Sequence, residues 1–147
     1  MLNGDQLTEY LNLNCHTELF WLDTVGRSGL QLLPAGFLES RHLRRLHVVR
    51  SRVVGSTVHS AGVRVPGSDP ILRGVETRTA TSSILEEDLT DDDFLVVDDR
   101  AAVRLVFDDH NRFVFAHAGL ELLDRYRFIR DTWWPTAERT SHPFAAR

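Results

Sequence analysis

The apolar residues of this chain fall into short runs of two different periods, and these divide it into elements. Asp5 to Leu13 carries Leu7, Tyr10 and Leu11 at helical spacing, which predicts a short helix capped by Asp5 or Thr8. Glu18-Leu19-Phe20-Trp21-Leu22 reads as a buried strand. Gly26-Arg27-Ser28-Gly29 predicts a turn. Pro34 to Leu46 fits two descriptions, because Pro34 suits a first helical turn and Phe37, Leu38, Leu43 and Leu46 can share one helical face. From residue 46 to 54 Val48, Val49, Val53 and Val54 predict a strand. Three Gly and two Pro in residues 60–74, with Pro66-Gly67 among them, predict a mobile loop. Val75 to Thr81 alternates as a half-exposed strand does.

The last third is the most regular. Phe94 to Val97 reads as a central strand, and Asp98-Asp99-Arg100 as a turn. Ala101–Phe107 and Arg112–His117 flank Asp108-Asp109-His110-Asn111, the pattern of a β-hairpin. A helix follows from Leu120 to Trp134, with Leu122, Tyr126, Ile129 and Trp133 on one stripe and Pro135 as its stop. Phe128 falls on the opposite side of that helix, where an aromatic needs a cover or a partner. The pattern predicts a single α+β domain over residues 1–147. Its sheet is mainly antiparallel, with helices on one face, a C-terminal β-hairpin followed by an amphipathic helix, and a partly extended tail over 136–147.

Composition narrows the chemistry. All 17 basic residues are Arg, so Schiff-base, Walker-type and lysine-base mechanisms are excluded. Cys15 is the single cysteine, so no internal disulfide forms and a reducing compartment fits. The first residues show neither a basic nor an apolar leader region, and no run approaches the about 20 residues that span a bilayer, so a cytoplasmic protein away from membranes is expected. The net charge of −4 is uneven. Residues 1–73 hold 8 Arg and 6 acids, and residues 74–147 hold 9 Arg and 15 acids.

Two charged clusters are candidates for function. Residues 86–109 contain ten acids, of which Asp98, Asp99, Asp108 and Asp109, with His110, form an alternative acidic site for a small hydrolase or nuclease-like toxin. The same acids flank strands, where turn chemistry alone places Asp, and no calcium-loop spacing accompanies them, so neither a metal nor another cofactor is expected. Arg41, Arg44, Arg45, Arg50 and Arg52, with His42 and His47, form a basic stretch suited to carboxylate or phosphate partners. No aromatic side chains interleave it as base-stacking would require, so nucleic acid is the weaker choice of partner. No His pair makes H-x-x-x-H or H-E-x-x-H, and there is no G-x-S-x-G, G-x-G-x-x-G or P-loop.

The segments Asp93 to Arg100, Val103 to Asp109 and Arg125 to Trp134 resemble those of a small actinobacterial family without assigned function, whose members are encoded beside helix-turn-helix regulators. The likeness extends to Phe20-Trp21-Leu22-Asp23-Thr24, where the family more often shows Glu near Asp23, to Arg44-Arg45-Leu46-His47-Val48-Val49, and to Pro143-Phe144-Ala145. A fainter resemblance is to non-catalytic phospholipase-D-like domains. Their catalytic counterparts need a Lys two residues after His, and here His110-Asn111-Arg112 is the nearest echo. The resemblance implies a regulatory or sensory interaction module with a helix-turn-helix regulator as protein partner, and the basic stretch and the outward aromatic make Arg41, Arg44, Arg45, Arg50, Arg52 and Phe128 the expected contacts. The same features permit a homodimer.

Overall fold

A capping box opens the first element. In the computed structural model, which describes residues 1–24, 32–49, 75–81 and 93–139, the Asn3 side chain accepts from the Gln6 amide at 2.8 Å. The Gln6 side chain accepts in return from the Asn3 amide at 2.8 Å. Helix α1 therefore runs Gly4–Asn14, and its cap is Asn3 rather than Asp5 or Thr8. Asp5 sits in the first turn, where a negative charge faces the positive end of the helix dipole. Thr8 donates instead to the Leu32 carbonyl.

The strands are β1 (Glu18–Asp23), β2 (His42–Val49), β3 (Val75–Thr81), β4 (Asp93–Val97), β5 (Ala101–Phe107), β6 (Phe113–Ala118) and the short β7 (Glu138–Arg139). Strand β2 begins four residues before the expected Val-rich run, and residues 50–54 of that expectation lie outside the described residues. The helical description of residues 34–46 shrinks to a 3-10 turn over Phe37–Glu39, entered through Gly36 at φ +73°, a conformation glycine adopts freely. The Gly26–Gly29 turn, the 60–74 loop and all but the start of the tail also lie outside the described residues.

The strands form one sheet in the order β6-β5-β4-β1-β2-β3-β7. Pairs β1–β2 and β2–β3 are parallel, and the other four are antiparallel, so the fold is α+β with a mostly antiparallel sheet. Strand β4 sits between β1 and β5, and β4 and β1 are buried on both faces, which accounts for their unbroken apolar runs. Asp98 (φ 52°) and Asp99 (φ 58°) are both left-handed, and Arg100 N–H bonds the Val97 carbonyl at 2.9 Å. This is the primed turn that matches strand twist in a two-residue hairpin.

Side-chain alternation splits the core in two. Leu7 and Leu11 of α1 pack with Leu19, Trp21, Leu43, Leu95, Val97 and Val103 on one face. A 3-10 turn at Leu120–Leu122 leads into α2 (Leu123–Trp133). Leu123, Tyr126, Ile129 and Trp133 of α2 pack on Phe20, Leu22, Leu46, Val48, Phe94 and Val96 of the other face. The Phe94 and Tyr126 rings stack with centroids 3.9 Å apart. The last helix thus covers one face as its stripe predicts, with Leu123 fully inside the core and Leu122 at its edge. Helix α1, expected on the same face, covers the opposite one because Leu19 and Trp21 alternate with Phe20 and Leu22.

Candidate functional site

The acidic turns build the fold. Asp98 accepts from the backbone amides of His16 (2.7 Å), Thr17 (2.9 Å) and Glu18 (2.9 Å), and from the Thr17 hydroxyl at 3.0 Å. It closes the connection between α1 and β1 from the end of the neighbouring strand β4. Burial acts to raise its pKa, but these hydrogen bonds outweigh burial and hold the carboxyl well below the usual carboxylate range. A group depressed in the folded state contributes stability above its unfolded pKa of about 3.9 and loses it as pH falls further. Asp98→Ala removes four acceptor contacts and places Ala at φ 52°, so a loss of about 2–3 kcal/mol is expected at pH 7. In urea unfolding from pH 7 to 3, wild type should lose part of its advantage over the variant below about pH 4. An unchanged midpoint at pH 7 would contradict this role.

Asp99 pairs with Arg127 at 3.1 Å and Arg130 at 2.9 Å, tying the β4–β5 turn to α2. Burial opposes ionisation of Asp99, yet the two guanidinium groups lower its pKa overall. Asp108 accepts from the His110 and Arg112 amides at 2.8 and 2.9 Å and closes the β5–β6 hairpin, and those bonds lower its pKa, the Arg112 amide first. Asp109 and His110 are exposed at the hairpin tip. The proposed acidic site is therefore divided. Asp98 and Asp99 stand at one end of β5 and Asp108 to His110 at the other, roughly 20 Å of strand apart. Among the described residues no group of three or more His, Cys, Asp or Glu is placed to hold a metal ion.

The basic stretch is likewise dispersed. Arg41 donates to the Cys15 carbonyl at 2.6 Å and lies over the Phe37 ring. Arg44 stays at the surface, 3.5 Å from Glu18. Arg45, expected at an interface, is instead 4% exposed, because β2 alternates and position 45 faces the α1 side of the sheet. Arg50 and Arg52 lie outside the described residues. Buried Cys15 faces Asp98; burial, then the Asp98 charge, pushes its thiol up to about 12, the opposite of a reactive cysteine. Phe128 is 58% exposed on the outward side of α2, as its position on the wheel predicts.

The structure brings together a group that spacing does not reveal. Strands β1 and β2 pair Trp21 with Arg45 and Asp23 with His47, so the four side chains tile one face at the carboxyl ends of two parallel strands. Arg45 gives Nε (2.9 Å) and Nη2 (2.6 Å) to Asp23 Oδ2, and its guanidinium lies 5.5 Å from the Trp21 ring centroid. His47 Nδ1 stands 3.5 Å from the same oxygen. Asp23 is 0% exposed. Beside it, buried Asp93 at the start of β4 accepts from the Thr24 amide at 3.1 Å and from the Thr24 hydroxyl. Carboxyl ends of parallel strands are where open sheets take ligands. The available signal was an acid closing an apolar run, Leu19 to Asp23, opposite an Arg in a second run.

No family model matches the chain, and no curated protein matches it. Among solved structures, it is similar to TrmBL2, an archaeal chromatin protein whose structure is described as showing a novel mode of DNA binding. The superposition has a TM-score of 0.51 at 10% identity and covers 95% of this chain and 52% of that one. The chain spans about half the length of TrmBL2, and the likeness is one of fold. No described helix is long and apolar enough to cross a membrane.

Proposed function

We propose that this chain is a non-catalytic regulatory or sensory module that docks a protein partner, a helix-turn-helix transcription regulator, through the outward face of α2. The exposed Phe128 carries the reading. It stands opposite a stripe that is otherwise committed to the core, with exposed Leu120, Asp124 and Arg125 around that side of the helix. Aromatic and Arg side chains dominate interface hot spots. Arg44 is on the α2 side of the sheet, since it alternates with buried Arg45, and it supplies the charged part of the contact. The resemblance to a family encoded beside such regulators supports the choice of partner. The fold shared with a chromatin protein supports a regulatory setting.

The test is co-elution of the purified chain with the helix-turn-helix regulator proposed as its partner, with light scattering for stoichiometry. Wild type should co-elute, and Phe128→Asp should weaken binding by about 30-fold or more, the scale of a hot-spot loss. A wild-type chain that elutes as a monomer and ignores the regulator, or a Phe128→Asp chain that binds as well as wild type, would overturn the reading. Light scattering of the chain alone separates this from a homodimer, and anisotropy with labelled duplex DNA separates it from direct nucleic-acid binding.

A further inference from the structure

We propose that Trp21, Arg45 and His47 form a receptor for a small oxyanion, a carboxylate or phosphate group, at the carboxyl ends of β1 and β2. This site is on the α1 side of the sheet, goes beyond the docking reading and does not depend on it. Three observations converge. First, the Trp21 indole Nε1 is buried without a hydrogen-bond partner, in a residue only 2% exposed, and His47 Nδ1 has no hydrogen bond, only its 3.5 Å contact with Asp23 Oδ2. An unmet buried donor costs about 1–3 kcal/mol, a penalty that a bound acceptor oxygen removes. Second, the carboxylates beside the tile already have partners, Asp23 in Arg45 and Asp93 in Thr24, and neither takes the Trp21 N–H. Third, the register places these donors on one face of adjacent strands, and the His47 side chain, 30% exposed, connects the tile with solvent. Trp133 Nε1 is also unpartnered, but it lies in the core beneath α2, on the opposite side of the sheet from Trp21, Arg45 and His47.

The chemistry follows from the residue types. Indole and guanidinium groups only donate, and an imidazole nitrogen carrying its proton does the same. Arg45 is held in position by Asp23, which neutralises its charge and fixes the planar fork. A carboxylate or phosphate oxygen on this tile accepts from Trp21 and His47 and adds to the Arg45 set.

The experiment follows the indole N–H resonances of the full chain in proton–nitrogen correlation spectra, with Trp21 assigned through Trp21→Phe. Sodium phosphate and sodium succinate are titrated separately at constant ionic strength. The Trp21 signal should move saturably in at least one titration, with half-saturation below about 1 mM, while those of Trp133 and Trp134 stay in place. A response to phosphate alone, or to succinate alone, names the source of the oxyanion. His47→Leu should weaken that response about tenfold or more. The proposal is overturned if wild type shows no saturable Trp21 movement up to about 20 mM of either anion. It is also overturned if all three indole signals drift together with salt, or if folded His47→Leu binds as tightly as wild type. Because wild type decides the first point, a poorly folding variant does not block the test. Loss of anion binding with Phe128-dependent docking intact would remove this site alone.

Discussion

Arg45→Met should lower the unfolding free energy by about 3–5 kcal/mol, the scale of breaking a buried ion pair by removing one partner. The substitution keeps an unbranched stem of similar reach, so packing is little changed. What changes is that the carboxylate of Asp23, fully buried, loses both guanidinium hydrogen bonds at 2.9 and 2.6 Å. His47 remains 3.5 Å away and offsets only part of that loss. Trp21 also loses the cation over its ring. The double variant Asp23→Leu with Arg45→Met removes the uncompensated charge and should recover most of the stability, since a buried pair replaced by apolar residues is often neutral or better. Urea denaturation of the three proteins measures this. A single-variant loss below about 1 kcal/mol, or a double variant no more stable than the single, would show that the pair is not the buried contact described.

Trp133→Ala should cost about 3–5 kcal/mol, the usual range for removing a large aromatic from a core. Trp133 closes the inner stripe of α2 and packs in the cluster with Phe20, Phe94 and Tyr126. Phe128→Ala on the same helix is the internal control and should change stability by no more than about 0.5 kcal/mol, because that ring faces solvent. Thermal or urea unfolding followed by far-ultraviolet circular dichroism separates the two. A loss below about 1 kcal/mol for Trp133→Ala would mean that α2 presents a different face to the sheet.

Much of the architecture is legible in the apolar pattern. β1 and β4 read as central strands because both of their faces are covered, and the α2 stripe and outward Phe128 follow from helical period. The Asp-rich segments read as turns for a local reason: Asp98 and Asp99 occupy left-handed positions, and Asp108 bonds the amides that follow it. Pairing direction is not legible. The connection before β3 carries no sustained helical pattern, and the helical description of residues 34–46 competes with another, so nothing announces that β1, β2 and β3 run parallel. That gap hides the polar tile, because Trp21 and Arg45 are neighbours only through parallel pairing. It also explains why the basic stretch looks like a surface. In sequence Arg44 and Arg45 are adjacent, yet on a strand one faces the α2 side and the other the buried Asp23.

The most direct test of the docking account is amide hydrogen exchange of the whole chain, alone and mixed with the helix-turn-helix regulator proposed as its partner. The account predicts added protection in peptides spanning residues 120–132, absent when Phe128→Asp is used. Protection confined to the turns at residues 98–100 and 108–111, with residues 120–132 unchanged, would contradict it and return the acidic turns to consideration as the working surface.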